Sequence, residues 1–188
     1  GGDKRGRGWD CGSMLTKIDK GLWGRGEVGV SGRRGPAVNG AQALGCSPVA
    51  AAFAEGSEHV KPVRPDTIAK SLAIGNPADG IFALEVVRKT GGSIESVTEQ
   101  EIVDGIKLLA ETTGIFTETA GGVTTAVLAK LAASGKIYPD DETVLYITGD
   151  GLKTLDAVAD TISTYEIDPN FAQFEEEVLG NVVKGAHQ

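Results

Sequence analysis

The chain has 188 residues, 40% hydrophobic but only 5% aromatic, a length and composition that suit one α/β domain with a sizeable core. Its formal net charge of −8 disfavours nucleic acid as a partner, because a phosphate backbone is bound by a basic surface. No apolar stretch approaches the roughly 20 residues of a membrane span, and no secretory signal is visible, so we expect a cytoplasmic protein that does not bind membranes.

Periodicity and turn residues predict helices and strands in alternation. Residues 1–11 have no periodicity, and we expect an atypical or disordered start there. In the first half we then predict a helix over Met14–Trp23, a Gly- and Arg-rich loop over residues 24–35, a short strand within Pro36–Gln42, a helix over Ser47–Glu55 with Ser47 as N-cap, a helix over Thr67–Ile74 capped by Asp66, and a helix over Ala78–Thr90.

The second half carries clearer signals. We predict a strand over Ser93–Val97 and a capping box of Thr98 and Glu101 that opens a helix over Ile102–Thr113, with Gly114 as its stop. An extended piece over Ile115–Thr117 and a helix over Gly121–Ser134 follow. We then predict a strand over Thr143–Ile147, a turn over Thr148–Gly151, a helix over Leu152–Ile162 and an amphipathic helix over Pro169–Val183. The strand at Thr143–Ile147 is continuously apolar, as expected of a strand buried on both faces. This alternation predicts a parallel sheet with crossover helices.

Ligands of open parallel sheets bind beyond the carboxyl ends of the strands, where helix N-termini offer free N–H groups. Three segments of this sequence have small or hydroxyl residues at such places: Gly12-Ser13, Thr117–Gly122 and Thr148–Gly151. Each also has a purely structural interpretation, as a helix cap or a tight turn. No P-loop, GxGxxG or GxSxG pattern is present, so these spacings define a ligand crevice without defining its chemistry.

Metal and thiol chemistry receive no support. Cys11 and Cys46 have neither metal-ligand spacing nor a disulfide framework. His59 and His187 lie apart from any Cys, Asp or Glu cluster, so we expect no metal site. Cys46 has no evident histidine partner and is interpreted as a small packed residue.

Five strings carry a family resemblance that runs nearly continuously from about residue 12 to 160. They are GSMLTKI at Gly12–Ile18, NGAQA at Asn39–Ala43, IAKSLAIGNPA at Ile68–Ala78, GIFTETAGG at Gly114–Gly122 and YITGDGLK at Tyr146–Lys153. Together they resemble bacterial threonine synthase. The resemblance implies a fold-type II pyridoxal 5′-phosphate (PLP) enzyme with the cofactor between two α/β domains, of which this chain would be the larger part, and a possible homodimer.

The implied reaction converts O-phospho-L-homoserine and water to L-threonine and phosphate, with PLP as electron sink. By resemblance, Thr148 matches the hydroxyl that hydrogen-bonds the PLP ring nitrogen. Gly12 and Ser13 match the end of the loop that holds the PLP phosphate. Glu118 and Thr119 match the loop facing the cofactor, and no defined role is carried onto them.

The departures from the family pattern are informative. Trp9, Asp10 and Cys11 precede Gly12, where the family has small residues. The bulky Trp9 side chain and the negative charge of Asp10 would both disfavour binding of a phosphate there. The family's Schiff-base lysine lies in its amino-terminal half, so no catalytic residue is assigned here. Lys17, Lys70 and Lys153 are not candidates for that role.

The resemblance therefore predicts a carboxy-terminal fragment that is inactive alone. It divides into a PLP-binding α/β domain over residues 12–165 and a helical tail over residues 166–188. Two alternatives stay open: another fold-type II lyase, such as threonine dehydratase or cysteine synthase, and a non-catalytic α/β ligand-binding domain that does not depend on PLP. The substrate-phosphate ligands that would separate the lyases lie in the missing half.

Overall fold

The computed structural model describes residues 4–8, 15–21, 36–161 and 165–179. Its strands and α-helices are β1 (Lys4–Gly8), α1 (15–21), β2 (Ala37–Ala43), α2 (Pro48–Ala54), α3 (Gly80–Thr90), β3 (Ile94–Val97), α4 (Glu99–Thr113), α5 (Thr119–Ala133), β4 (Thr143–Tyr146) and α6 (Phe171–Gln173). Two 3₁₀ segments, Lys70–Leu72 and Gly151–Thr161, and a π-helical turn, Phe174–Leu179, complete the elements. The chain forms two compact units, Gly1–Ala157 and Val158–Gln188.

The four strands form one parallel sheet in the order β3-β2-β1-β4. Helices connect β2 to β3 and β3 to β4, which confirms the predicted α/β class with crossover helices. Strand β1 departs from expectation, because Lys4–Gly8 pairs with both β2 and β4 inside a stretch for which no regular structure was predicted. The loop predicted at residues 24–35 lies outside the described residues.

Strand β4 corrects one prediction. The run Thr143–Ile147 was expected to be buried on both faces, yet all four residues of β4 are only partly buried. The cause is its place in the sheet: among the described strands β4 pairs only with β1, at the end of the order β3-β2-β1-β4. A continuous run of apolar residues indicates a buried strand in general, but it does not distinguish a central strand from an edge strand.

Helix α5 supplies much of the core of the first unit. Ten of its fifteen residues are buried, from Thr119 to Val127 and at Leu131. Helix α4 crosses it at very short range, because Gly105 and Gly122 face each other: a Cβ at residue 105 would lie 2.4 Å from the carbonyl oxygen of Gly122. A second cluster of buried side chains packs α1, α2 and α3 around β2, with Val38, Val49 and Leu84 among its members.

The N-terminus of α2 is capped by a residue that the sequence does not reveal. Ser47 occupies the N-cap position but accepts no hydrogen bond there, and its hydroxyl donates to the Leu44 carbonyl. The Gln42 side-chain oxygen instead accepts from the N–H groups of Val49 and Ala50, at 3.0 and 2.9 Å. The predicted capping role of Ser47 is therefore wrong, and Gln42 fills it from strand β2.

This exchange of roles predicts opposite results for two substitutions. Gln42→Met keeps the side-chain length but leaves two buried N–H groups without an acceptor, so the free energy of unfolding should fall by about 2 kcal/mol. Ser47→Ala removes one exposed hydrogen bond and should change it by less than about 0.5 kcal/mol. Urea unfolding of both variants measures the difference. A larger loss for Ser47→Ala would restore the assignment made from the sequence.

The segment at residues 63–75 also differs from its prediction. A helix capped by Asp66 was expected over Thr67–Ile74, whereas only Lys70–Leu72 forms a single 3₁₀ turn, with Ala69 at its N-cap. Tertiary contacts hold the rest. One oxygen of the Glu99 carboxylate accepts from the Thr67 hydroxyl at 3.1 Å and the Ile68 N–H at 2.7 Å. These contacts to α4 replace the hydrogen bonds that a helix would have made within itself.

The capping box that opens α4 is confirmed. The Thr98 hydroxyl accepts from the Glu101 N–H at 3.2 Å, and the Glu101 carboxylate accepts from the Thr98 N–H at 2.6 Å. The hydrogen bond from the Thr98 backbone holds the pKa of Glu101 below its ordinary value, because it stabilises the charged form. Gly114 ends the helix with a φ of 75°, as predicted for a left-handed cap.

The two helices predicted near the carboxyl terminus are found in part, with other helical geometries. Gly151–Thr161 is 3₁₀ and is interrupted at Thr154, whose φ of −139° is not helical. In the second unit, α6 and the π-helical turn cover Phe171–Leu179, none of these residues is buried, and residues 180–183 of the predicted helix lie outside the described residues. Within the described ranges, no helix is both long enough and apolar enough to cross a membrane.

Candidate functional site

The carboxyl ends of all four strands lie along one edge of the sheet, because every pairing is parallel. Two of the three segments singled out in the sequence meet at this edge. The loop after β4, from Thr148 to Gly151, forms an isolated antiparallel bridge with the entry into α5, joining Thr117 and Asp150. The third segment, Gly12-Ser13, lies outside the described residues, although β1 ends at Gly8 between β2 and β4.

Several hydrogen bonds join the two loops. The Glu118 N–H donates to the Gly149 carbonyl at 3.2 Å, and the Gly151 N–H donates to the Phe116 carbonyl at 3.1 Å. The Thr117 hydroxyl, which is fully buried, donates to the same Gly149 carbonyl at 3.1 Å. Each loop thus uses its main chain to fix the other. The sequence indicated both loops but gave no sign that they would bind each other.

Thr148 directly precedes the joined part of this turn and has an unused hydroxyl. Its neighbours on the turn are held by the contacts above, whereas its own side chain is exposed and makes no hydrogen bond within the part of the chain that the structure describes. A hydroxyl in this position can donate to a ligand without breaking an internal bond.

A second unused hydroxyl lies at the start of α5. Thr119 is fully buried, and its Oγ1 atom has no hydrogen-bond partner among the described residues. Its N–H donates to the Thr154 hydroxyl at 3.2 Å, so the break in the 3₁₀ segment at Thr154 serves the N-terminus of α5. Free hydroxyl donors beside the positive end of a helix dipole fit a ligand that brings hydrogen-bond acceptors. PLP carries acceptors at its ring nitrogen, phenolate and phosphate.

Two of the lysines to which no catalytic role was assigned have contacts away from the Thr148 hydroxyl. The Lys70 ammonium donates to the Thr67 carbonyl at 2.8 Å, and that of Lys153 lies 3.9 Å from the Glu118 carboxylate. No group of three or more His, Cys, Asp or Glu side chains among the described residues could hold a metal ion.

Comparison with known families identifies the class of protein. Residues 21–149 match the sequence model of the family described as pyridoxal-phosphate dependent enzymes, and this covers more than half of the chain. The chain therefore belongs to this family. Pyridoxal phosphate is the cofactor of the family, as the resemblance in the sequence implied, and the free hydroxyls at the carboxyl edge are compatible with it.

Several proteins named threonine synthase are similar to this chain, and three of them are compared with it in turn. That of Methanocaldococcus jannaschii is 42% identical over 123 residues, which are 65% of this chain and 30% of the relative. That of Halalkalibacterium halodurans is 36% identical over 64% of this chain and 33% of its own length. That of Methanosarcina acetivorans is 35% identical over 77% of this chain and 36% of its own length. The chain thus spans about a third of these relatives, so the expectation that it is the larger part of the enzyme is wrong.

Solved structures show the same fold. A fungal L-serine ammonia-lyase from Rhizomucor miehei superposes with a TM-score of 0.66 at 18% identity, covering 86% of this chain and 50% of the other. The processed form of threonine deaminase isoform 2 from Solanum lycopersicum gives 0.65 at 17% identity, covering 87% and 45%. The fold is that of fold-type II PLP enzymes.

Proposed function

We propose that this chain forms the carboxy-terminal part of a threonine synthase, which converts O-phospho-L-homoserine and water to L-threonine and phosphate. The observation that carries the proposal is the exposed, unpaired Thr148 hydroxyl on a turn fixed at the carboxyl edge of the sheet. PLP, when bound, supplies the electron sink for carbanions on the substrate. The chain's own contribution is to hold Thr148, which donates a hydrogen bond to the ring nitrogen and orients the ring.

The names of the relatives support this reaction over that of another lyase. Identities of 35–42% to threonine synthases exceed the 15–21% to solved threonine deaminases, serine racemases and a serine ammonia-lyase, whose likeness shows the fold alone. Threonine dehydratase remains the second candidate, since its fold is shared. Assays with O-phospho-L-homoserine, L-threonine and L-serine side by side distinguish the two.

Turnover requires groups beyond those assigned here. The chain spans about a third of its relatives, and none of its lysines is assigned to the covalent attachment of PLP. We therefore propose that Gly12 and Ser13 contribute only the end of a phosphate-binding loop. The isolated chain should show no turnover of O-phospho-L-homoserine, and the active form should be a cytoplasmic enzyme, as a homodimer.

The test is Thr148→Val in the full-length parent protein. The substitution keeps the shape of the side chain and removes one hydrogen bond, worth about 1 kcal/mol, or roughly fivefold in kcat or in PLP affinity. Because Thr148 makes no internal hydrogen bond, the thermal stability of the cofactor-free protein should not change. Titration of the cofactor-free protein with PLP, followed by absorbance, gives the affinity directly.

Thr112→Val is the matched control. Thr112 is exposed on α4, and its hydroxyl donates only to carbonyls of its own helix. It should leave kcat and PLP affinity unchanged. If Thr148→Val leaves kcat, PLP affinity and the absorption spectrum of the bound cofactor all unchanged, Thr148 does not contact the ring. A parent protein that takes up no PLP at all would favour the non-catalytic ligand-binding domain.

A further inference from the structure

Glu118 has a buried carboxylate that no helix cap explains. It precedes α5 at the N-cap position, where an acidic side chain usually accepts a hydrogen bond from the first turn, yet it makes no such bond. Only 8% of the residue is exposed. Burial of a carboxylate is unfavourable unless something compensates, so its position requires another reason.

The carboxylate fills a space that glycine leaves open on the turn after β4. A Cβ built on Gly149 would lie 1.9 Å from Oε1 of Glu118 and 2.3 Å from its carboxyl carbon. The carboxyl group thus occupies the position that a side chain at residue 149 would take. The two residues also share a main-chain hydrogen bond, from the Glu118 N–H to the Gly149 carbonyl, so backbone and side chain hold the same turn.

The charge of the Glu118 carboxylate contributes less to holding the turn than its packing against Gly149 does. The nearest cation described is the Lys153 ammonium, 3.9 Å from Oε1, and the Lys153 side chain is 61% exposed. A pair this long and this solvated contributes little, although the positive end of α5 favours the negative charge. The shape of the Glu118 side chain is therefore what the turn depends on.

We propose that Glu118 is a positioning residue for the cofactor site: its carboxyl group packs into the space above Gly149 and thereby fixes the direction of the Thr148 hydroxyl. This inference rests on the proposed role of Thr148. Glu118 itself touches no cofactor in this scheme. It acts through the turn, and its glycine partner is required because a larger residue would compete for the same space.

A size exchange in the full-length parent protein tests the fit. Gly149→Ala should displace the turn and weaken PLP affinity at least about tenfold, and Glu118→Ala should weaken it about threefold. In the double variant the alanine methyl enters the space that the carboxylate has left, so the affinity should return to within about threefold of wild type. Glu118→Gln, which keeps the shape without the charge, should stay within about twofold of wild type.

Two readouts separate this inference from the proposed function. Thermal melting of the cofactor-free variants reports the fit alone, and the double variant should melt above Gly149→Ala. Additive losses in melting temperature would overturn the packing inference whatever Thr148 does. If the double variant regains the melting temperature but not the PLP affinity, the turn is not the cofactor contact, and the positioning role is overturned. A loss for Glu118→Gln as large as that for Glu118→Ala would assign the effect to charge and also overturn it.

Discussion

Gly122→Ala should destabilise the protein by about 3 kcal/mol, although alanine is a far better helix former than glycine. The new Cβ would lie 2.5 Å from the Ile102 carbonyl oxygen and 2.6 Å from the Ile106 side chain. Both isoleucines are buried at 2% exposure or less, so neither side chain can move away into solvent. Helices α4 and α5 would have to separate, and the contacts along the crossing would be lost.

The predicted destabilisation by Gly122→Ala is opposite in sign to the effect that helix propensity predicts. Helix propensity alone would make Gly→Ala stabilising by up to about 1 kcal/mol. We expect a gain of this sign for Gly21→Ala at the end of α1, where no described atom outside its own turn lies within 4 Å of the added methyl group. Urea unfolding of the two variants should thus give opposite signs. Gly105→Ala, on the facing helix, should repeat the loss seen for Gly122→Ala. A stabilised Gly122→Ala protein would mean that the two helices do not meet at this distance.

Gly45→Ala should produce a comparable loss, of at least about 3 kcal/mol, at the carboxyl edge of β2. A Cβ there would lie 1.7 Å from the Asp66 carbonyl oxygen, which belongs to the backbone. The Asp66 N–H also donates to the Gly45 carbonyl at 2.9 Å, so a hydrogen bond holds the two backbone segments together at this close approach. The substitution should push the segment at residues 63–75 away from the sheet.

Cys46 provides a local reporter of that displacement. The residue is 1% exposed, and burial raises the pKa of its thiol above the ordinary value, although a hydrogen bond to the Ile74 backbone acts in the opposite direction. In a Cys11→Ser background, the thiol should react faster with a disulfide reagent in Gly45→Ala than in wild type. Leu44→Ala, at an exposed neighbour, should change neither stability nor reactivity. Unchanged thiol reactivity in Gly45→Ala would contradict the displacement.

Sequence reasoning succeeded where local chemistry determines structure. The capping box at Thr98 and Glu101 and the left-handed Gly114 stop are short-range devices, readable from a few adjacent residues. The parallel α/β class followed from the alternation of periods, which does not depend on tertiary detail. The edge position of β4 could not be read, because strand order is set by which segments pair and not by the strand's own composition.

Sequence reasoning failed where a residue from another element supplies the hydrogen bonds that a local residue was expected to make. Gln42 caps α2 from an adjacent strand, and Glu99 holds Ile68 in place of a helical turn. Neither partner is marked by its own neighbours in sequence.

The candidate site divides in the same way. Thr148 and the loop containing Glu118 could be predicted, because their small and hydroxyl residues are typical of the loop at the end of a strand. The contacts between that loop and the turn after β4 could not, because they join residues about thirty positions apart, such as Glu118 and Gly149. No periodicity links such residues, so the positioning role of Glu118 could be recognised only in the folded chain.

The complete burial of α5 from Thr119 to Val127 has a consequence for local opening. Helix amides exchange with solvent deuterium when a segment opens, and a helix surrounded by a sheet and a second helix opens only with the whole domain. The amides from Val123 to Val127 should therefore exchange last in the first unit, at the rate of global unfolding. Those of residues 151–157, the part of the interrupted 3₁₀ segment that lies in the first unit, should exchange early, so the Thr148 turn lies between the slowest and the fastest parts of that unit.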